Sequence, residues 1–475
     1  MSESGLMKRI LEKVMEKVKE TKKIGEDDPR RVIHSIKVGL ALTIVSLFYY
    51  FRPLYDGFGQ AGMWAILTVV VVFEFSVGGT ISKSVNRGVA TLVAAALGVG
   101  AEYLADQCGE KGEPIVLGLL VFVLATISTF TRFFPNVKRR YDYGVLIFIL
   151  TFSLVAVSGA RTTEILQLAH QRLSTILIGG ATCIIISLSI SPVWAGQDLH
   201  FLISANIANL AASLQGFGGE FSLSPCDGSG STVSFKDDKE KSYLQSHKSV
   251  LNSKAMEESL ANFAWWEPGH GRFKLNHPWK LYLNIGGLVR QCACQIETLS
   301  GSCIYINSKS QATSEFQQKV QGACVTMSIE SSKALKELAT SLKNATFPSS
   351  SSSSSSVEIH LHNSKAAADE LKNIMEKSSF LPMEVDLEDM MPILVVASLL
   401  IDIIKLVEKI SVSVNELAHK AGYKEIKSTA AASTDKQQPQ LLHRGIVKPL
   451  LIDIVVVDHQ QITSSMQHNR GLPTN

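Results

Sequence analysis

Residues 64–97, WAILTVVVVFEFSVGGTISKSVNRGVATLVAAAL, restrict the possible folds more than any other stretch of the chain. Two apolar runs flank a polar interval that holds Lys83, Asn86 and Arg87, and Glu74 stands alone inside the first run. Hydrocarbon offers a backbone no hydrogen-bond partners, so chain that crosses it must be helical. A cation at the mouth of such a helix, or a charge within one, needs water, a counter-ion or a passing ligand. The interval 81–87 therefore reads as the turn of a helical hairpin that carries positive charge to the inner end of a membrane path.

Comparable runs fall at about 32–50, 61–80, 87–106, 114–130, 142–158 and 165–191. Most approach the ~20 residues that a bilayer core requires, and the shorter fourth and fifth are accommodated by less tilt or a thinner bilayer. Basic residues crowd segment 1–31, the 81–87 interval and the 131–140 loop, which carries Arg132, Lys138, Arg139 and Arg140. The alternate loops near 51–60, 107–113 and 159–164 hold one each, Arg52, Lys111 and Arg161. The positive-inside rule then predicts six spans with both termini in the cytosol. The first 31 residues are charged, unlike a secretory signal. Within them, 5–24 reads as a basic amphipathic helix with Leu6, Ile10, Val14 and Val18 at helical spacing. Such a helix either lies on an anionic leaflet or packs, solvated, on the cytosolic part of the protein.

The expected organisation is all-α and homodimeric. A basic N-terminal segment (1–31) precedes a six-helix transmembrane domain of three hairpins (32–193), then a cytosolic helical domain (194–348). A polyserine linker (349–357), helices that complete the domain (358–423) and a largely disordered tail (424–475) follow. Helical periodicity marks 197–220, and helices are predicted at 238–265, 279–300, 311–343, 364–378 and 384–421. Residues 390–401 are nearly all apolar, but they are short and followed by Asp402 and Lys405. They read as a buried bundle helix instead of a seventh span.

Composition excludes several classes. A net charge of +3 without a basic-aromatic stripe gives no case for nucleic acid. The seven cysteines show neither zinc spacing nor a disulfide framework and read as reduced thiols. No phosphate loop, HExxH or GxSxG is present, so neither an enzyme, a cofactor nor a metal site is expected.

The charges near the spans carry more information. Arg172 lies about two turns into the last span, where insertion costs about 2.5–3.5 kcal/mol. Facing a wet cavity, it becomes an anion site. Arg87 opens the third span, one turn after Lys83. Arginine rings select anions by replacing lost hydration, and a guanidinium meets a carboxylate with two parallel hydrogen bonds. Arg87 and Arg172 at different depths thus suggest a ladder for a dicarboxylate, and Glu74 is expected to pair with a base or be buried and protonated.

These residues lie in stretches that resemble the plant aluminium-activated malate transporters, a family of anion channels. The resemblance rests on EDDPRRVIHSIKVGLALTIVSLFYY (26–50), MWAILTVVVVFEFSVGGTISKSVNRGVATL (63–92), RFFPNVKRRYDYGVLIFILTFSLVAVSG (132–159), RLSTILIGG (172–180) and SPVWAGQDLH (191–200). It continues through VLNSKAMEESLANFAWWEPGHGRF (250–273) and HPWKLYLNIGGLVRQCA (277–293). It implies a homodimeric, passive channel for malate and other organic and inorganic anions, with Arg87 and Arg172 lining the path. Lys83, Lys138 and Arg140 would form a basic inner vestibule. It also implies a gating role for Glu267 in the Trp266-Glu267-Pro268 motif, besides its reading as a buried structural carboxylate, and an inhibitory role for Phe217. Family members that respond to aluminium carry outer-loop carboxylates. Here Thr163 and Gln167 stand at two of those places and Asp56 and Glu164 remain, so activation by aluminium is expected to be weak or absent. The plasma membrane is preferred to the vacuolar one. The rival readings are a proton-coupled organic-anion carrier titrating at Glu74, and a membrane-anchored scaffold that carries no flux.

Overall fold

The computed structural model describes residues 3–50, 62–159, 165–222, 240–309, 315–348, 356–377 and 387–426. The chain divides into two units, one of residues 1–29 with 437–475 and one of residues 30–436. In the first, α1 (Glu3–Asp27) is a single helix with exposed side chains throughout most of its length.

The boundary falls at the first residue of α2 (Pro29–Tyr50), a proline suited to an N-terminal position because the N–H it lacks would have no partner there. Next come α3 (Met63–Val72), α4 (Val77–Asp106), α5 (Gly109–Thr131), the short α6 (Pro135–Arg140), α7 (Asp142–Gly159) and α8 (Ile165–Ser189). Among the described residues, Val77–Asp106, Lys111–Thr131 and His170–Ser189 are long and apolar enough to cross a membrane, and Met63–Val72 and Asp142–Val157 are shorter apolar helices.

The hairpin differs from expectation. The chain reverses at 73–76, and the 81–87 interval is helical, inside α4. Ser76 is the reason: its backbone is extended (φ −97°, ψ 152°) and its hydroxyl accepts the Gly79 N–H at 3.1 Å, which satisfies a free donor of the first turn. Thr80 adds a second lock, accepting the Glu74 N–H and donating back to the Glu74 carbonyl, each at 3.1 Å. Lys83, Asn86 and Arg87 look like a turn because they are polar. At spacings of three and four they instead share one face of a helix. Glu74 accordingly lies in the break and not inside a membrane helix.

Glycines set how these helices meet. Gly98 lies against Val155 and Gly144 against Asn86, so α4 and α7 run parallel. Gly88 faces Leu177 and Gly180 faces Ser84, so α4 and α8 run antiparallel.

The remaining helices are α9 (Ala195–Ser222), α10 (Glu240–Leu251), α11 (Lys254–Ala264), α12 (Trp279–Lys309), α13 (Glu315–Asn344), α14 (Ser356–Lys377) and α15 (Leu387–Ala421). They share one core. Leu199, Ile203, Ile207, Leu210 and Leu214 supply the α9 stripe, against Ile285, Val289 and Ile296 of α12 and Leu335, Leu338 and Leu342 of α13. The apolar run in α15 belongs to it, with Val396, Ala397 and Leu400 buried. A buried leucine contributes about 1.5–3 kcal/mol of transfer free energy, so this core holds the bundle. Two three-residue strands, β1 (Thr346–Pro348) and β2 (Lys424–Ile426), pair in parallel and are the only strands among the described residues. Thus 424–426 are ordered into a strand, at the start of what reads as tail, while most of that tail lies outside the described residues. So does most of the polyserine linker, and α14 begins at Ser356, ahead of the expected 364.

Candidate functional site

The membrane helices gather basic groups in a graded order. Nearest the 73–76 break, Lys83 forms an ion pair with Glu74, and its ammonium lies 5.7 Å from the Tyr143 ring. One turn further along α4, Arg87 is only 3% exposed and donates to the Tyr143 hydroxyl at 3.2 Å. Its Nε has no partner, and no carboxylate pairs with it among the described residues. Arg172 on α8 lies over the Trp64 ring, 4.7 Å from its centroid, and its Nε is likewise buried without a partner. With Gly88 level with Leu177, Arg172 stands about six residues beyond Arg87 along α4, or ~9 Å at 1.5 Å per residue. The two guanidiniums therefore occupy different depths, Arg87 buried and Arg172 half-buried, and neither is neutralised by a described carboxylate, which is costly unless a mobile anion or water compensates.

Two other basic residues are placed differently. Lys138 is exposed on α6. Arg140 stacks on Trp265, with its guanidinium carbon 4.3 Å from the ring centroid. Asp56 and Glu164 lie outside the described residues. Lys37 is a basic group that sequence reasoning missed: it is 2% exposed within α2 and donates to the Ser191 carbonyl at 3.0 Å. A lysine inside an apolar run was the available signal. Its closeness to the basic N-terminal segment masked it.

Behind this array, one carboxylate ties the membrane helices to the bundle. Glu267 Oε1 accepts the Ala195 N–H at 2.6 Å and Oε2 the Gly196 N–H at 3.0 Å, at the start of α9. The Gly78 N–H, in the first turn of α4, bonds to it as well. Glu267 therefore caps two helices at once, where free N–H groups and the helix dipole both favour an anion. Burial nevertheless pushes its carboxyl up to about 7, against the lowering effect of these donors. Gly78 and Gly196 are required here: a methyl group on Gly78 would collide with the Phe263 carbonyl, and one on Gly196 with the Trp279 ring. Val77 N–H also reaches the Val193 carbonyl at 2.9 Å. Around the carboxylate, His270 stacks on Trp194 at 3.8 Å, Tyr141 meets Trp266 edge-on, and Asn262 donates to the Arg139 carbonyl. Phe217, by contrast, is buried in the bundle core and stacked on Phe221, with ring centroids 5.4 Å apart.

A helical protein whose membrane-competent helices carry arginines with no carboxylate partner among the described residues fits the class of membrane transporters. Sequence comparison assigns the group. The profile described as Aluminium activated malate transporter matches residues 22–386, so the chain belongs to that family, whose members are transporters and not enzymes. It is 51% identical over 424 residues to aluminum-activated malate transporter 2 of Arabidopsis thaliana, covering 89% of this chain and 82% of that one. It is 50% identical over 417 residues to aluminum-activated malate transporter 1 of the same plant, covering 87% and 82%. The Triticum aestivum aluminum-activated malate transporter 1 is 43% identical over 446 residues, covering 92% of each chain.

Proposed function

We propose that the chain is a subunit of a homodimeric, passive anion channel that conducts malate and other organic and inorganic anions across the plant plasma membrane. Six spans, formed by α2, α3, α4, α5, α7 and α8, carry the path, with both termini and the α9–α15 bundle in the cytosol. The parallel α4–α7 and antiparallel α4–α8 contacts support this alternation. The observation that carries the reading is Arg87: a buried guanidinium held by the Tyr143 hydroxyl, with no carboxylate beside it among the described residues. An anion in transit supplies the charge that the fold withholds. Arg172 repeats the arrangement about 9 Å away. Lys83, Lys138 and Arg140 form the inner vestibule.

The coupled-carrier alternative would work through Glu74, which is ion-paired to Lys83. Gating runs through Glu267, because a movement of the bundle reaches α4 directly at Gly78. Patch recording with malate, nitrate, sulfate and chloride in turn, across a pH gradient, tests the proposal. The reversal potential is expected to follow the anion gradient alone. A reversal potential that moves with pH would establish the carrier instead.

A further inference from the structure

We infer that α1 docks along an anionic phospholipid surface. Met7, Leu11, Val14, Met15 and Val18 are all exposed, and at 100° per residue they fall within an arc of about 100°. Charge is sorted around that stripe. Lys13 and Lys17 border one side and Lys19 the other, and Glu12, Glu16 and Glu20 lie on the far side from the stripe with Arg9 and Lys23 among them, while Lys22 falls within the stripe's own arc. Basic flanks meet lipid phosphates and carboxylates at the depth where an apolar stripe enters the headgroup layer, and acidic groups on the far pole stay in water.

The same pattern disfavours other occupants. The stripe spacing of four and three also suits a coiled coil, but a second copy of α1 would set lysine flank against lysine flank. A solvated helix would not need five apolar side chains on one face. Along the chain, only Asp28 separates α1 from α2. The sorting of charge itself does not depend on what the pore conducts.

The test uses the full chain in nanodiscs of phosphatidylcholine, alone or with a quarter phosphatidylserine, carrying the photo-crosslinker Val14→benzoylphenylalanine or, as control, Glu16→benzoylphenylalanine. Docking predicts lipid adducts at position 14 and few at 16. Phosphatidylserine should increase them several-fold, and the triple reversal Lys13→Glu, Lys17→Glu, Lys19→Glu should reduce them about tenfold or more. Adducts to the same chain or to a second copy, equal lipid labelling at 14 and 16, or no response to phosphatidylserine would each overturn the inference. Loss of anion current in another variant would leave the adducts unchanged, so failure of the channel reading is distinguished from failure of this one.

Discussion

Replacing Glu267 with glutamine isolates the carboxylate that joins two helix starts. The variant keeps the size of the side chain but turns one acceptor into a donor that faces backbone N–H groups. At pH 5 it should be less stable than the native chain by about 1–3 kcal/mol, the cost of a buried group left without its partner. The pH dependence separates this loss from a simple packing defect. A carboxyl raised from 4.5 to about 7 on folding binds its proton more tightly in the folded state. Its contribution to stability is therefore complete below 4.5 and falls as pH rises through 7, by about 3 kcal/mol in all. Glutamine does not titrate, so the stability gap between the two chains should shrink by about that amount between pH 5 and pH 8, closing or changing sign. Thermal unfolding in detergent micelles, followed by intrinsic tryptophan fluorescence at matched pH, reads the gap. Parallel curves for the two chains across this range would refute the reasoning, because they would mean that Glu267 titrates alike folded and unfolded.

Three further outcomes are expected. Glu257→Ala should destabilise the bundle by about 3–5 kcal/mol, because Glu257 is fully buried and ion-paired to Arg290, and accepts from Ser253 at 2.7 Å; the unfolding midpoint of the variant checks it. Gly78→Ala should disrupt the link between α4 and the WEP turn and lower the folded yield, since the added methyl meets the Phe263 backbone and the Glu267 side chain. Micromolar aluminium added outside should leave the anion current without a large increase, as oxygen anions are the ligands a hard trivalent cation needs and the outer carboxylates are depleted; whole-cell recording before and after addition measures this.

Much of the helical plan was legible because amphipathic helices print their period on the chain. The stripe of Leu199, Ile203, Ile207, Leu210 and Leu214 marks α9 within two residues of its observed ends. The apolar run of α15 was separable from a span by its length and by Asp402 and Lys405. What escaped was set by contacts distant in sequence or by a single capping side chain. The break at 73–76 hides between apolar neighbours and depends on the hydroxyls of Ser76 and Thr80. Glu267 stood out by its motif, yet its partners lie 71 and 72 residues away and at the start of α4. The β1–β2 pairing joins residues on either side of two intervening helices, so no local pattern announces it. Lys37 shows a different failure: it was passed over so near the basic N-terminal segment, and its burial against Ser191 appears only in three dimensions.

The account stands on Arg87 and Arg172 facing a hydrated path. Malate current should be recorded for the native chain, Arg87→Gln and Arg172→Gln at equal surface abundance, with Arg87→Lys as a charge-retaining control. Each neutralised chain should lose about tenfold or more of its malate current, equivalent to about 1.4 kcal/mol at each arginine, and the lysine variant should retain part of it. Malate currents of native size in both glutamine variants would contradict the account.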